Sequence, residues 1–295
     1  MKMFKRIYIE ITNVCNLNCR FCPKTTRKPE FIKTDLFEKI LNELKNHTKY
    51  LYFHVMGEPF LHPDIGIFLD LCHEYGYKVN ITTNGILIKK AEKNIIFKSA
   101  LRLINFSLHC FDANTLNSAI DDYLDNIFNF ITKAGSNPDF IACLRLWDTG
   151  KNKYILEKIE EVFKVSCRIE KSPMNGNGIK LANNIYLNQA SLFEWPDINI
   201  ADLDNKGFCL GLRDQAAILV DGTVVPCCLD SEGTINLGNI NKSAFSEIIK
   251  SKRAIDLYKG FSEKKAVESL CKKCGYRKRF NKYSAISYFH SKAEG

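Results

Sequence analysis

Seven of the twelve cysteines fall into two groups whose spacing could do metal chemistry. Cys15, Cys19 and Cys22 form C-x3-C-x2-C within Asn13-Val14-Cys15-Asn16-Leu17-Asn18-Cys19-Arg20-Phe21-Cys22-Pro23. Three thiolates on one short loop can wrap a single compact centre, one ligand fewer than a tetrahedral zinc site or a four-iron cluster takes. The missing ligand leaves an open position, which separates a catalytic metal from a structural one. The second group is Cys209, Cys227, Cys271 and Cys274. Asp221-Gly222 between two β-rich arms is a strong hairpin signal, and that turn brings Cys209 and Cys227 toward each other. Cys271-Lys272-Lys273-Cys274 is a knuckle that supplies two more thiols. Four thiolates close a coordination shell, and both structural zinc and an iron-sulfur cluster fit that count.

The other cysteines read as packing. Cys228 neighbours Cys227, and adjacent residues on a strand point to opposite faces, so the two do not share one centre; it reads as a small buried hydrophobe. Cys72, Cys110, Cys143 and Cys167 read as core. The six histidines show no metal spacing, and His54 and His109 read as hydrogen-bonded core.

The elements that must position these groups follow one rhythm. Short β-branched or apolar runs at 6–12, 50–56, 78–83, 101–109 and 140–147 alternate with segments of helical period at 35–45, 65–75, 89–98, 115–133 and 153–163. That is the pattern of strand-helix units around a parallel sheet. Thr34 reads as an N-cap, and Gly76 and Gly135 stand where helices should stop. Residues 171–206 change character, with Asn, Pro and Gly, and carry one more strand around 185–187. The hairpin 216–220 and 223–225 and a helix near 244–258 complete the chain. The expected division is a core of 1–170, a connection of 171–200 and a small cluster-bearing domain of 201–295, too thin in apolar residues to be ordered without a staple. Phe193-Glu194-Trp195-Pro196-Asp197 reads as a packed linker.

Composition limits the alternatives. Of the 295 residues 45% are apolar, enough for a real core, which excludes disorder as the main state. The length argues against a small secreted disulfide scaffold, and the opening residues do not read as a leader, so the cysteines are expected reduced and the protein cytoplasmic. No apolar stretch has the length of a spanning helix. Lys plus Arg exceed Asp plus Glu, 42 to 33, and the excess concentrates after Cys271; a nucleic-acid partner fits that charge but a solvated surface is favoured.

The three-cysteine loop with an aromatic, Phe21, before its last cysteine resembles that of the radical S-adenosylmethionine enzymes. Their fold implies a partial (β/α)6 TIM-like barrel, here followed by a small α+β auxiliary-cluster domain. Met56-Gly57-Glu58-Pro59 is similar to the family's G-G-E-P segment, with Met56 in place of the first glycine, and Thr82-Thr83-Asn84-Gly85 resembles its T-N-G turn. Ser107 ends the fourth strand and Arg145 lies near the end of the fifth. The resemblance implies that Cys15, Cys19 and Cys22 bind a [4Fe-4S] cluster, and that Phe21, Gly57, Glu58, Asn84, Ser107 and Arg145 bind S-adenosylmethionine. All of them stand at carboxyl ends of strands, the face where parallel barrels build their sites. C-x12-G-x4-C followed by C-x2-C resembles the opening of the SPASM extension in its shortened, twitch form, which implies one auxiliary [4Fe-4S] cluster on Cys209, Cys227, Cys271 and Cys274.

The implied activity is reductive cleavage of the cofactor to a 5′-deoxyadenosyl radical that abstracts a substrate hydrogen atom, with flavodoxin or ferredoxin as electron donor. A peptide or protein substrate is the first reading. A small-molecule dehydrogenase or cyclase is the second, and a tRNA-modifying enzyme the third. No residue is singled out as catalytic beyond these binding groups.

Overall fold

The computed structural model describes residues 3–112, 119–148, 152–167 and 178–280. One sheet runs through the molecule, in the order β10-β9-β8-β1-β2-β3-β4-β5-β7-β6. Its parallel centre comprises β1 (Arg6–Ile9), β2 (Tyr50–Phe53), β3 (Lys78–Thr83), β4 (Leu101–Ser107), β5 (Ile141–Asp148) and β7 (Ile185–Ser191). These six make the expected partial barrel, and β6 (Ile179–Ala182) pairs antiparallel on β7.

Helices α1 (Thr34–Leu44), α2 (Ile65–Glu74), α3 (Ile88–Ile95), α4 (His109–Asp112), α5 (Ile120–Ala134) and α6 (Lys153–Phe163) intervene between strands. The alternation of each strand explains the packing. Ile7 and Ile9, Leu51 and Phe53, and Leu144 and Leu146 are all at most 1% exposed. Phe53 meets Phe37 of α1 at 5.6 Å, and Phe37 stacks on Phe68 of α2 at 4.1 Å. The opposite face of the same strands carries Arg6 and Tyr8, Tyr52 and His54, and Arg145 and Trp147, so the barrel interior is polar and aromatic.

The second half of the chain is tied into this sheet. β8 (Gln215–Ile218) pairs parallel with β1, from Arg6 opposite Gln215 to Ile9 opposite Ile218, and turns through Gly222 (φ +88°) into β9 (Thr223–Val225), which pairs with β10 (Gly238–Asn239). α7 (Phe245–Ile248), α8 (Lys252–Ser262) and α9 (Ser269–Lys272) follow, then a 3-10 turn at Gly275–Phe280. Phe245 packs edge-on against Phe4 and His47 of the barrel.

Three local expectations are corrected. Thr34 is the first helical residue rather than the cap; Lys33 holds that place, extended and without a side-chain bond. The helix expected at 244–258 is two, because the Ser251 side chain accepts from the Ala254 amide and starts a new helix. The strand expected to reach Thr12 stops at Ile9: Thr12 bridges to Phe31 as the chain leaves the sheet. The helix expected at 115–133 begins on residues outside those described.

Candidate functional site

The cysteine loop leaves β1 at the carboxyl end of the sheet. Asn13 pins its far side, receiving the Glu30 amide at 2.7 Å and donating to the Lys28 carbonyl at 2.8 Å. Cys15 is exposed, Cys19 buried and Cys22 half-buried. The Cys22 amide donates to the Cys19 carbonyl at 3.2 Å, and the Leu17 amide points at the Cys15 sulfur at 3.4 Å. The three thiols sit close enough to act on one another: the bond to Cys19 and burial push the Cys22 thiol far up, and burial raises Cys15. Thiols this close ionise together only when a cation compensates them, so the donor set fits a metal cluster. Cys110, expected as plain core, is buried at the base of the loop and hydrogen-bonds Cys19.

Gly57 presses on this loop. Its φ is +77°, and a Cβ there would lie 2.3 Å from the Thr12 carbonyl oxygen, so only glycine fits. The contact lets the Glu58 amide reach the Val14 carbonyl at 2.8 Å. The Glu58 side chain is 1% exposed and accepts three bonds, from the Phe60 amide at 3.0 Å, the Thr83 hydroxyl at 2.7 Å and the Asn84 amide at 2.8 Å. Burial outweighs those donors and pushes its carboxyl up to about 7. Asn84 turns its Nδ2 toward the loop, 2.9 Å from Asn16 Oδ1 and 3.9 Å from the Cys15 sulfur. It therefore positions the cysteines. Ser107, buried at the end of β4, lies in register with Arg145 of β5.

Phe21 starts an aromatic chain across the mouth of the barrel. It meets His109 at 5.1 Å and Trp147 at 5.0 Å, His109 stacks on Trp147 at 4.2 Å, and Trp147 continues to Phe193 at 5.8 Å. Phe193 touches Trp195 and Tyr276, each at 5.0 Å. The segment expected as a packed linker is therefore packed over the site. His109 is hydrogen-bonded as expected, to the Arg145 carbonyl at 3.1 Å, and burial holds it near 4, neutral at ordinary pH. His54 differs, since its buried Nδ1 has no partner among the described residues.

Sequence reasoning missed Glu10. Fully buried, it forks onto Arg27 at 2.6 and 2.7 Å and accepts from the amides of Met56 at 3.2 Å and Val220 at 3.1 Å. One carboxylate thus joins β1, the cysteine loop, the end of β2 and the β8–β9 turn. A lone Glu in a strand carries no such signal in the sequence.

The second group assembles beside this mouth. The Cys227 thiol lies within electrostatic reach of Cys209, Cys271 and Cys274, and Cys271 within reach of Cys209 and Cys274. Burial pushes Cys209 up to about 11 and raises Cys227 and Cys271 well above the usual thiol value. Among the described residues no three His, Cys, Asp or Glu side chains converge on the point one metal ion would occupy; a four-iron cube holds its thiolates farther apart than a zinc ion does. Arg277, expected as part of a solvated basic tail, is 4% exposed. It donates to the carbonyls of Cys271 and Lys206, each at 2.8 Å, and of Asp204, and so ties the knuckle to the segment leading to Cys209. Cys227 and Cys228 lie in a turn past the end of β9 rather than on a strand, so alternation does not decide their directions; Cys228 packs against the cluster of Tyr8, Val55, Leu219 and Val225, as the packing reading expects.

Comparisons with known proteins agree with this geometry. Residues 9–146 match the radical SAM superfamily, and residues 209–275 match SPASM, an iron-sulfur cluster-binding domain. The tungsten-containing aldehyde ferredoxin oxidoreductase cofactor-modifying protein of Pyrococcus furiosus is 24% identical, over 84% of this chain and 82% of its own. Among solved structures, BtrN in complex with AdoMet and 2-DOIA superposes with a TM-score of 0.59 at 17% identity, covering 92% of this chain and 93% of that one. Streptococcus suis SuiB bound to precursor peptide SuiA gives 0.60 at 18% identity, covering 94% and 71%. At such identities these two establish the fold. Among the described residues no helix is long and apolar enough to cross a membrane.

Proposed function

Because the chain belongs to the radical S-adenosylmethionine superfamily and carries a C-terminal iron-sulfur domain of the SPASM type, we propose that it abstracts a hydrogen atom from a substrate held inside the barrel. The family brings a [4Fe-4S] cluster with S-adenosylmethionine, and the C-terminal domain brings auxiliary iron-sulfur chemistry. In this reading Cys15, Cys19 and Cys22 hold the first cluster, and Cys209, Cys227, Cys271 and Cys274 hold one auxiliary cluster. Cluster and cofactor, when bound, supply a 5′-deoxyadenosyl radical able to attack an unactivated C–H bond.

The observation that carries the proposal is the meeting of an incomplete thiol set with a buried carboxylate. Glu58, locked by three donors, accepts from the cofactor's amino group, and Gly57 lets its backbone approach the loop. Ser107 and Arg145 address the ribose and carboxylate, Asn84 holds Cys15 in place, and Phe21 with Trp147 shields the mouth from water. An external flavodoxin or ferredoxin supplies the electron. The substrate group entering beneath the aromatic chain is a peptide side chain or a small molecule.

The test is anaerobic reconstitution followed by assay for 5′-deoxyadenosine. The expected result is cofactor cleavage that disappears when Cys15, Cys19 and Cys22 are replaced together by Ala. Retained cleavage in that variant overturns the proposal.

A further inference from the structure

The end of the barrel opposite the cysteine loop carries a site that the clusters and the cofactor do not explain. Where the strands begin, a cavity of about 460 Å³ opens, with Lys5, Arg6, Lys49, Tyr50, Tyr52 and Arg102 in its lining. That volume lies in the range that holds a small molecule. Arg6 opens β1, Tyr50 opens β2 directly after Lys49, and Arg102 is the second residue of β4. The Lys78 amide at the start of β3 donates to the Lys49 carbonyl at 3.0 Å, so hydrogen bonds of the sheet fix this rim.

The lining holds four cations and no acid. Lys5 is paired with Asp214 at 2.8 Å, but among the described residues Arg6, Lys49 and Arg102 have no carboxylate partner. Both arginines are half-buried and braced by rings. The Arg6 guanidinium lies 5.8 Å from the centre of the Tyr52 ring, and that of Arg102 lies 5.3 Å from the centre of the Tyr50 ring. Arg102 also donates from Nη1 to Asn80 Oδ1 at 3.0 Å. Asn80 stands in register with Tyr52 and is fully buried, and its Nδ2 has no partner among the described residues. A buried amide left half-satisfied costs free energy that a ligand acceptor recovers. Like charges around one cavity repel, and an anion between them removes the repulsion.

We propose that this cavity is a binding site for a phosphate-bearing small molecule. Arg6 and Arg102 present planar forks that match phosphate oxygens, Lys49 adds a mobile charge, and Tyr50 and Tyr52 supply the wall. Three cations without a counter-charge suit a phosphate, which brings about two negative charges, better than a single carboxylate. The site stands at the amino ends of the strands, away from every residue assigned to the clusters or to S-adenosylmethionine, so it does not rest on the radical reading.

The test is calorimetric titration of the reconstituted holoenzyme, its cofactor site filled with excess S-adenosylmethionine, with inorganic pyrophosphate, adenosine diphosphate, glutarate and poly-L-glutamate. Saturable binding of at least one phosphate probe is expected. It should weaken tenfold or more in Lys49→Gln/Arg102→Gln and recover in part in Lys49→Gln/Arg102→Lys. Lys49→Gln alone, at an exposed position, should weaken binding severalfold without moving the unfolding transition, which guards against a disturbance of Asn80 by loss of Arg102. Lys89→Gln/Lys90→Gln, which removes two exposed cations of α3, should bind as the wild type does. Tighter binding of adenosine diphosphate than of pyrophosphate identifies an organic phosphate as the ligand, and the reverse an inorganic one. No saturable binding of either phosphate, tighter binding of glutarate, or wild-type binding in Lys49→Gln/Arg102→Gln overturns the proposal. Equal loss in Lys89→Gln/Lys90→Gln also overturns it, since net charge alone then attracts the probes. Binding of poly-L-glutamate in place of the phosphates assigns the rim to an acidic protein and overturns it as well.

Discussion

The two cysteine groups use the same ligand atom and differ in what surrounds it. The loop of Cys15, Cys19 and Cys22 lies beside a buried carboxylate and under an aromatic chain, with three thiols and no fourth of matching spacing. The group of Cys209, Cys227, Cys271 and Cys274 has four, drawn from three separated stretches and clamped by the buried Arg277. The first is local in sequence and held from outside by Gly57, Asn84 and Glu10; the second, in the proposed reading, adds a cluster to a region already joined to the barrel sheet and core. An open set is built for exchange of ligands, and a closed set for holding structure or passing an electron.

The largest effects should come from removing either set. The variant lacking Cys15, Cys19 and Cys22 should retain about four of roughly eight irons and keep its fold, because the loop is held by other contacts. Cys271→Ala should also lose about four irons, but with exposure of the C-terminal half to proteolysis and loss of net substrate oxidation, while some uncoupled 5′-deoxyadenosine still forms. Equal protease sensitivity in the two variants would erase the distinction.

Glu10→Ala comes next. It leaves Arg27 half-buried without its partner and two backbone amides, those of Met56 and Val220, without their acceptor, at a cost of about 3–5 kcal/mol in urea unfolding. A loss below about 1 kcal/mol would mean that the pair behaves as a surface ion pair.

Glu58→Ala should weaken cofactor binding by about 1.5–3 kcal/mol, the worth of a charged hydrogen bond, without changing iron content. The pH dependence has a definite sign. Burial raises this carboxyl from 4.5 to about 7, so it gains its charge, and cofactor affinity rises, as pH increases through about 7. Glu58→Gln should lose that step. Without cofactor the same shift favours the fold at low pH and loses its contribution as pH rises through about 7. The smallest effect is expected at Thr34→Ala, within about 0.5 kcal/mol, since its side chain caps nothing.

Much of the barrel was legible because its signals are local. Strand 78–83 and helix 153–163 were read to the residue, each having a strong period and clear flanks. The cysteine spacings were legible for the same reason. The pairing of β8 with β1 was not, since nothing in the local pattern of residues 215–218 names a partner more than two hundred residues away. Glu10 and Arg277 were hidden likewise: a buried charge is recognisable only once its partners are in place. Cys110 shows the limit of reading a lone cysteine as packing, because tertiary contacts place it against the Cys19 thiol.

The contrast between an open and a closed site is tested most directly by electron paramagnetic resonance of the reduced protein with and without S-adenosylmethionine, in wild type and in the variant lacking Cys15, Cys19 and Cys22. The account predicts that the cofactor changes one cluster signal in wild type and none in the variant, whose remaining signal belongs to Cys209, Cys227, Cys271 and Cys274. A cofactor-induced change in the variant would place the open position at the second site and contradict the assignment.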